Sequence, residues 1–424
     1  MRKILFEYSM NPTTWVYLSS LLTIGIYFKF RRFWSVRNLD LVGLIAFAPG
    51  LLLVGHGLEQ LGYVWLFSVG GFFLVRLLVD PVMVRRPLLE PNLTADGLTF
   101  TGVALLVFLI TNVLTGTPSL EAARQSEQRG VREHGSFTPH GPGYSLFFVA
   151  ARLPSQAIVS GQQGGAEEAS QRGLIQEATT RTIAILAHLA IVIGMALIGY
   201  RHFDNVETGV AAASLYLLLP YTAQMTGEVD HVLPAAFLVW AVAAYRRPMV
   251  AGILMGLAVG VIYYPLFLLP LWCGFYWRRG LIRFSAGLVV MWIVLVVLFV
   301  LAFTSSKLDV FWGQFLEMFG WSHPSGFWQY HEPAYRIPVV AAFVALCSSL
   351  ALWPAQKNLG TLLSCSAAVM LGTQFWHANG GGLYMAWYLP LLVLTIFRPN
   401  LEDRVAITAL SERWGLWPRG RAGI

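Results

Sequence analysis

Apolar segments of similar length recur along the chain, and short polar connections separate them. About 20 consecutive apolar residues suffice for a helix to cross the ~30 Å hydrocarbon layer of a membrane. By this length rule the pattern predicts about thirteen membrane-spanning helices. They lie near residues 14–29, 40–57, 62–79, 99–115, 181–199, 207–223, 232–245, 249–262, 264–277, 281–303, 337–353, 359–376 and 384–397.

Three parts of this pattern depart from simple spans. The segments within 232–262 are short, and Pro265 and Pro270 interrupt the segment that follows. Proline breaks or kinks a helix, so broken or tilted helices are predicted there. Segment 143–160 has an arginine and a proline in its middle. We expect it to lie on the outer surface or to re-enter the membrane rather than to cross it.

Composition points to the same class of protein. Hydrophobic residues make up 56% of the chain and charged residues 12%, whereas a soluble domain carries about 25% charged residues. We therefore expect an all-α polytopic membrane protein. The net charge of +7 does not predict a nucleic-acid partner, because the basic residues lie at the ends of the apolar segments.

The distribution of lysine and arginine predicts the orientation. Basic clusters occur at 28–38 and 277–283, whereas the loops 56–63, 224–231 and 377–384 contain neither lysine nor arginine. Short cytoplasmic loops carry the excess of basic residues. The three loops without basic residues should therefore face outward, and we expect a multi-pass protein of the inner (plasma) membrane of a prokaryote.

The same pattern suggests a domain organisation with two long outward loops. Residues 1–98 form an N-terminal addition of three helices with a cytoplasmic loop, and 99–303 form a core module that includes the outward loop 116–180. Residues 304–397 contain the outward loop 304–336 and the C-terminal helices, and 398–424 form a cytoplasmic tail. Polar chemistry is expected where the two outward loops meet the membrane face.

One part of the chain resembles a known class of enzyme. In the stretch AAASLYLLLPYTAQMTGEVDHVLPAAFLVWAVAAYRRPMVAGILMGLAVGVIYYPLFLLPLW, residues 211–272, an Ala-rich helix ends in Leu-x-Pro. A short loop with Gly and Asp, a helix, basic residues and a Tyr-Pro follow it. This order is similar to that of GT-C superfamily integral-membrane glycosyltransferases, in particular polyprenyl-phosphate-dependent mannosyltransferases. The resemblance covers about residues 116–300 and implies a GT-C-like bundle with a large first outward loop.

The resemblance also implies a catalytic position. These enzymes place a catalytic Asp, often as Asp-Glu, directly after the first helix of the shared fold. Here the matching pair is Leu120-Glu121, so Glu121 alone would remove the proton from the acceptor hydroxyl. The alternative for Glu121 is an exposed helix residue that pairs with a polar side chain one turn away.

A second acidic pair lies in GEVDH, residues 227–231. Glu228 and Asp230 could orient an acceptor hydroxyl or bind a divalent metal. The alternative for Asp230 is a helix N-terminal residue that interacts with the helix dipole. No metal ligand set can be assigned, and a divalent cation stays open as a cofactor.

The second outward loop is rich in aromatic residues, as interfaces of membrane proteins commonly are. The functional alternative is a cover over a lipid-linked sugar. His323 and His331 would donate hydrogen bonds, while Lys307 and Arg336 would neutralise a phosphate. His140 and Arg181, at the edges of the first loop, could join this set.

We therefore expect a membrane glycosyltransferase that moves a sugar from a polyprenyl-phosphate donor to an acceptor on the extracytoplasmic face. Its partners would be the lipid-linked donor, membrane lipid and subunits of a membrane complex. A non-catalytic GT-C-like scaffold subunit is the first alternative, which the missing Asp at position 120 favours. A lipid or solute transporter is the second alternative. Such proteins need inverted repeats or intramembrane charges, and the predicted spans carry few ionisable groups.

Overall fold

The computed structural model describes residues 11–83, 90–115, 140–144, 146–147, 165–277, 279–302, 324–354 and 357–401. These residues are helical apart from connections and two isolated bridges. The α-helices are α1 Pro12–Tyr27, α2 Val36–Gly55, α3 Glu59–Val79, α4 Ala95–Thr115, α5 Gly165–His202, α6 Val206–Leu218, α7 Pro220–Gln224, α8 Val229–Ala243, α9 Pro248–Val261, α10 Leu269–Phe275, α11 Leu281–Ala302, α12 Arg336–Leu352, α13 Leu359–Gln374 and α14 Leu389–Phe397. Short 3₁₀ helices include Phe30–Arg32, Tyr264–Leu268, Gly326–Tyr330 and Met385–Trp387.

Six of the predicted spans coincide with helices that are long and apolar enough to cross a membrane. These are Val36–Gly55, Glu59–Val82, Ala95–Thr115, Glu177–His202, Leu281–Leu301 and Pro333–Leu352. Five shorter apolar helices, of 10–17 residues, overlap further predicted spans. The chain is thus an all-helical protein of the multi-pass membrane class, while the number of crossings stays a prediction.

The helices begin where the sequence provides capping residues. Ser35 starts α2 by accepting a hydrogen bond from the backbone N–H of Asn38 at 3.3 Å. Asn205 and Asn358 cap α6 and α13 in the same way, through the N–H groups of Thr208 and Thr361. Side-chain oxygens at these positions satisfy backbone donors that a helix leaves unpaired.

The centre of the bundle consists of α6, α8, α13 and α14. Every residue of α13 is buried, and α14 exposes little more than Ile396. Helix α3 packs on α13 and α1 packs on α6, while α5, α9 and α12 lie against other faces of the centre. The first three helices therefore pack directly against the core.

A stripe of glycines brings α9 close to α11. Gly252, Gly256 and Gly260 follow at intervals of one helical turn. A Cβ atom at Gly252 would overlap the carbonyl oxygen of Phe284, and one at Gly256 would lie 2.9 Å from the Cβ of Met291. Small residues at this spacing allow helices to pack closely where lipid provides no hydrophobic drive for association.

Buried charges join the N-terminal helices to the last helix. The Arg76 guanidinium pairs with Asp40 at 3.0 Å and with Asp80 at 2.9 Å. Asp80 also pairs with Arg398, which follows α14, at 2.6 Å. Removing one member of such a buried network leaves an uncompensated charge, so the four side chains hold α2, α3 and the end of α14 together.

The molecule has two chemically different ends. The basic end contains the connections 28–35, 202–205, 244–247, 276–277 and 279–280, and lysine or arginine lies in or next to each of them. Contacts across it include the hydrogen bond from the Tyr276 hydroxyl to the Tyr245 carbonyl, at 2.6 Å.

The opposite end contains residues 56–58, 225–228, 324–335 and 375–388. They hold no lysine or arginine. The Tyr330 hydroxyl donates there to the carboxylate of Glu59, at 3.3 Å.

Helix α5 differs from its predicted span. It begins at Gly165 rather than near residue 181, so the last part of the predicted outward loop 116–180 is helical. The segment GAEEASQRGLIQEATT is polar, and hydropathy therefore places the start of the helix too late. Its Ala, Glu, Gln and Arg residues are strong helix formers, which accounts for the continuation. The predicted interruption at Pro265 and Pro270 is present as a 3₁₀ helix followed by α10.

Candidate functional site

Three segments distant in sequence meet at the opposite end of the bundle. They are residues 140–144, the start of α8 at 228–231, and the connection 375–388. The Nε2 atom of His140 lies 3.4 Å from Oδ2 of Asp230. The indole N–H of Trp387 donates to the backbone carbonyl of Asp230 at 3.0 Å. Asp230 is thus the residue at which the three segments converge.

Close backbone packing positions His140. It forms an isolated antiparallel bridge with Ile262, and the N–H of Gly141 donates to the carbonyl of Val261 at 2.8 Å. A Cβ atom at Gly141 would overlap the carbonyl oxygen of Gly260. Only a residue without a side chain fits this contact, so Gly141 allows the chain to lie against the end of α9.

Asp230 and His140 form a carboxylate–imidazole pair. Asp230 lies in the first turn of α8, and Glu228 occupies the N-cap position without a capping hydrogen bond from its side chain. The side chains of His140 and Asp230 retain 17% and 19% exposure. Asp230 still benefits from the helix dipole, but its carboxylate contacts His140. Both members of the pair were predicted as site residues.

A dense group of aromatic and histidine rings continues from Asp230 into the protein. His231 pairs through Nδ1 with the Tyr221 hydroxyl at 2.7 Å. The ring of Tyr384 lies between His231, at a centroid distance of 4.4 Å, and His377, at 4.6 Å. We call the set His140, Tyr144, Asp230, His231, Tyr264, His377, Tyr384 and Trp387 the histidine–aromatic cluster.

His377 is fully buried at the centre of this cluster. The backbone N–H of Asn379 donates to its Nδ1 atom at 3.0 Å, so the neutral ring carries its proton on Nε2. That Nε2 atom is buried and has no hydrogen-bond partner among the described residues. Burial lowers the pKa of His377 to about 3, and the charges of Arg336 and His231 add to this effect. The imidazole is therefore neutral at physiological pH.

Tyr384 is kept protonated by its surroundings. Burial raises the pKa of its phenol above the usual range, and the carboxylates of Asp230 and Glu228 add to the shift. The phenol is thus a hydrogen-bond donor, not an anion, at any physiological pH. The same electrostatic coupling indicates that both predicted acidic residues act on this cluster.

Arg336 lies beside the cluster with 1% exposure. Its Nη2 atom donates to the carbonyl of Trp376 at 2.8 Å, and its Nε atom donates to the same oxygen at 3.2 Å. Its guanidinium lies 5.9 Å from the ring of Trp328. The predicted phosphate-binding arginine is therefore a buried, fixed positive charge at the edge of the cluster.

His331 belongs to a neighbouring segment. Its Nδ1 atom lies 3.1 Å from the carbonyl of Phe327, and its ring stacks on that of Phe327 at 4.4 Å. The segment is fixed to α3 by hydrogen bonds from Gln329 and Tyr330 to Glu59, both at 3.3 Å. His331 thus packs within the end of segment 304–336, the second loop predicted to face outward.

The remaining predicted residues have other positions. Arg181 lies on α5 and pairs with Glu177 at 2.6 Å. Glu121, Lys307 and His323 lie outside the described residues. Among the residues that the structure describes, no three metal-ligating side chains come together.

Sequence reasoning missed the contribution of the connection 375–388. In sequence the three glycines of WHANGGGLYMAWY indicate only a flexible turn, but the stretch supplies His377, Tyr384 and Trp387 to the cluster. The Gln374 side-chain oxygen accepts hydrogen bonds from the backbone of Gly382, at 3.1 Å, and of Tyr384, at 3.2 Å. A buried glutamine followed by three glycines is the signal for a loop that folds back on itself.

Comparison with known proteins gives no relative for the chain. No family model, curated protein or solved structure matches it. The geometry of the histidine–aromatic cluster is therefore the basis on which a function is argued.

Proposed function

We propose that this protein is a membrane glycosyltransferase of GT-C-like architecture. It would cross the inner membrane about thirteen times by the length rule for apolar segments. It would transfer a sugar from a polyprenyl phosphate to an acceptor hydroxyl on the extracytoplasmic face. The observation that carries the proposal is the pairing of Asp230 with His140 at the end of the bundle where residues 56–58, 225–228, 324–335 and 375–388 hold no lysine or arginine.

The pair has the groups that such a transfer requires. The acceptor oxygen attacks the anomeric carbon of the donor, the bond from that carbon to the phosphate oxygen breaks, and polyprenyl phosphate leaves. The acceptor proton passes to the carboxylate of Asp230, which acts as general base. His140, 3.4 Å away, orients this carboxylate. The fixed positive charge of Arg336 favours the phosphate that departs.

Sidedness supports this proposal. Short cytoplasmic loops of membrane proteins are rich in lysine and arginine, so the basic end should face the cytoplasm. The cluster then faces outward, on the side where polyprenyl-linked sugars are used by such transferases. In this topology the donor would reach the cluster from the lipid.

Asp230 and Glu121 are two candidates for the same role. The family resemblance implies Glu121, whereas the geometry of the described residues favours Asp230. Variants at both positions separate the two assignments, because only loss of the true base abolishes proton removal.

The test uses the full-length protein in lipid vesicles with a panel of labelled polyprenyl-phosphate hexoses and pentoses. Label transferred from the lipid phosphate is measured. Loss of a general base costs about 10²- to 10⁴-fold in rate, which is the expected effect of Asp230→Asn. Asp96→Asn is the matched control, since Asp96 is exposed in the first turn of α4 at the basic end. Wild-type transfer by Asp230→Asn together with loss in Glu121→Gln would move the base to Glu121.

A non-catalytic scaffold subunit is the second candidate, and one observation favours it. Tyr264 and Trp387 are 1% exposed and His377 is 0% exposed, as in a packed core. A scaffold would transfer no sugar from any donor of the panel and would co-purify with other membrane proteins. Transfer that depends on Asp230 or Glu121 would exclude this candidate.

A further inference from the structure

The turn between α1 and α2 presents aromatic and cationic side chains together on the surface. Trp34 is 82% exposed, Phe30 is 70% exposed and Phe33 is 58% exposed. Arg31 and Arg32, between them, are also exposed. We call residues 28–34 the aromatic corner. A contiguous group of large exposed rings marks a site of contact with a membrane or another molecule, and the cations beside it favour an anionic one.

A buried asparagine fixes the shape of the aromatic corner. Asn38, 1% exposed, accepts a hydrogen bond from the backbone N–H of Lys29 at 3.1 Å. Its amide group lies within hydrogen-bond distance of the carbonyls of Lys29 and Arg32, both at 3.0 Å, and of Phe33 at 3.2 Å. The turn is thus held in one conformation from inside.

A second asparagine, Asn92, also holds the aromatic corner in place. The amide of Asn92 donates to the carbonyls of Gly25 and Phe28, both at 3.0 Å. Its side-chain oxygen accepts a hydrogen bond from the ammonium group of Lys29 at 2.9 Å. The cation of Lys29 is therefore oriented as well. Asn92 begins a match to a glycosylation motif, but here its side chain caps the end of α1.

The exposed rings are connected to the protein interior. Phe28, which is buried, contacts Phe30 at a ring distance of 5.1 Å and Phe33 at 5.4 Å, and Phe33 contacts Trp34 at 5.3 Å. The corner directly precedes α2, a helix long and apolar enough to cross a membrane. It therefore lies at the depth of the lipid headgroups, where aromatic rings are enriched.

We propose that the aromatic corner is a binding site for an anionic phospholipid. The guanidinium groups of Arg31 and Arg32 bind the phosphate and the negatively charged headgroup, with Lys29 beside them. Phe30, Phe33 and Trp34 insert between the headgroups and the upper part of the acyl chains. A free phosphate would satisfy the cations alone, whereas a lipid satisfies the rings too. This site is separate from the histidine–aromatic cluster and does not depend on the proposed enzyme activity.

The test measures lipid binding to the full-length protein in detergent by native mass spectrometry, with phosphatidylglycerol or phosphatidylcholine added in steps. The variant Arg31→Gln/Arg32→Gln removes two charges from the corner. The control Arg201→Gln/Arg279→Gln removes two charges from exposed positions elsewhere at the basic end. Basic residues near anionic lipid contribute about 1 kcal/mol each, so we expect roughly thirty-fold weaker phosphatidylglycerol binding for the corner variant.

The control variant should bind within about threefold of the wild type, and inorganic phosphate should not displace the lipid. Equal losses in the two variants would show a diffuse charge effect and overturn the proposal. Equal binding of the two lipids by the wild type would also overturn it, as would displacement by inorganic phosphate. In a second arm, Phe30→Ala/Trp34→Ala should weaken phosphatidylglycerol binding while the charges remain. Unchanged binding there would exclude the ring contacts.

Discussion

The protein around His377 keeps its imidazole neutral, and this makes the stability of the folded state depend on pH. Its ring is fully buried, its Nδ1 atom accepts the N–H of Asn379, and its pKa is lowered to about 3. In the unfolded chain the ring has an ordinary pKa of about 6.5. Between these two values the unfolded state binds the additional proton, so stability decreases as pH falls.

Because the pKa of His377 differs between the folded and unfolded states, the stability should depend on pH, and a residue that does not titrate at this position should reduce that dependence. Between pH 7 and pH 5 the wild type should lose about 2 kcal/mol of unfolding free energy through this group alone. His377→Gln should show a shallower dependence over the same range. The measurement is unfolding in mixed micelles, followed by circular dichroism at each pH. His56→Gln, at an exposed site, is the control for the loss of a histidine side chain. Parallel slopes for the wild type and His377→Gln would contradict the prediction.

Some residues of the site could be predicted from the sequence and others could not. Asp230 and His140 were predicted because acidic and histidine residues next to turn residues are visible in a linear pattern. Tyr384 and Trp387 read as ordinary interfacial aromatics in sequence. Their role comes from the fold of 375–388, which the buried Gln374 side chain directs through two hydrogen bonds.

At the scale of elements, the glycine stripe of α9 determines how closely α11 can approach. A methyl group at Gly252 would meet the backbone of Phe284, which cannot move as a flexible side chain can. Gly71 on α3 has no heavy atom within 4 Å of an added Cβ. Both glycines lie inside helices, but only Gly252 is packed too closely against a neighbouring helix to accept a side chain.

Gly252→Ala should therefore destabilise the protein by about 1–3 kcal/mol, because overpacking forces the two helices apart. Gly71→Ala should leave the stability unchanged or raise it by about 0.5–1 kcal/mol through better helix propensity. Unfolding in mixed micelles compares both variants with the wild type. If both substitutions change the stability equally, close packing of α9 on α11 is not required.

Most helices could be predicted because apolar length is a local property of the chain. The ends of α2, α3 and α4 lie within a few residues of the predicted spans. The start of α5 was missed because its first turns are polar and hydropathy does not detect helix-forming residues outside a membrane. The packing of α13 at the centre could not be derived, since it depends on which helices become neighbours.

At the scale of the whole molecule, the difference between the two ends predicts how the protein is oriented. Cysteine accessibility in intact cells is the measurement, in a chain where Cys273, Cys347 and Cys365 are replaced by serine. His56→Cys should react with a membrane-impermeant maleimide from outside, because residues 56–58 lie at the same end as the described connections 225–228, 324–335 and 375–388, which hold no lysine or arginine. Arg201→Cys should react only after permeabilisation. The reverse pattern would place the histidine–aromatic cluster on the cytoplasmic side.

The buried charges of Asp40, Arg76, Asp80 and Arg398 connect parts of the chain that are made at different times. Asp80 is synthesised early, but its partner Arg398 follows α14, the last helix among the described residues. Until Arg398 is made, Asp80 lacks one of the two arginines that it contacts among the described residues. The contact between Asp80 and Arg398 can therefore form only after most of the chain has been translated, so the N-terminal helices acquire this partner late.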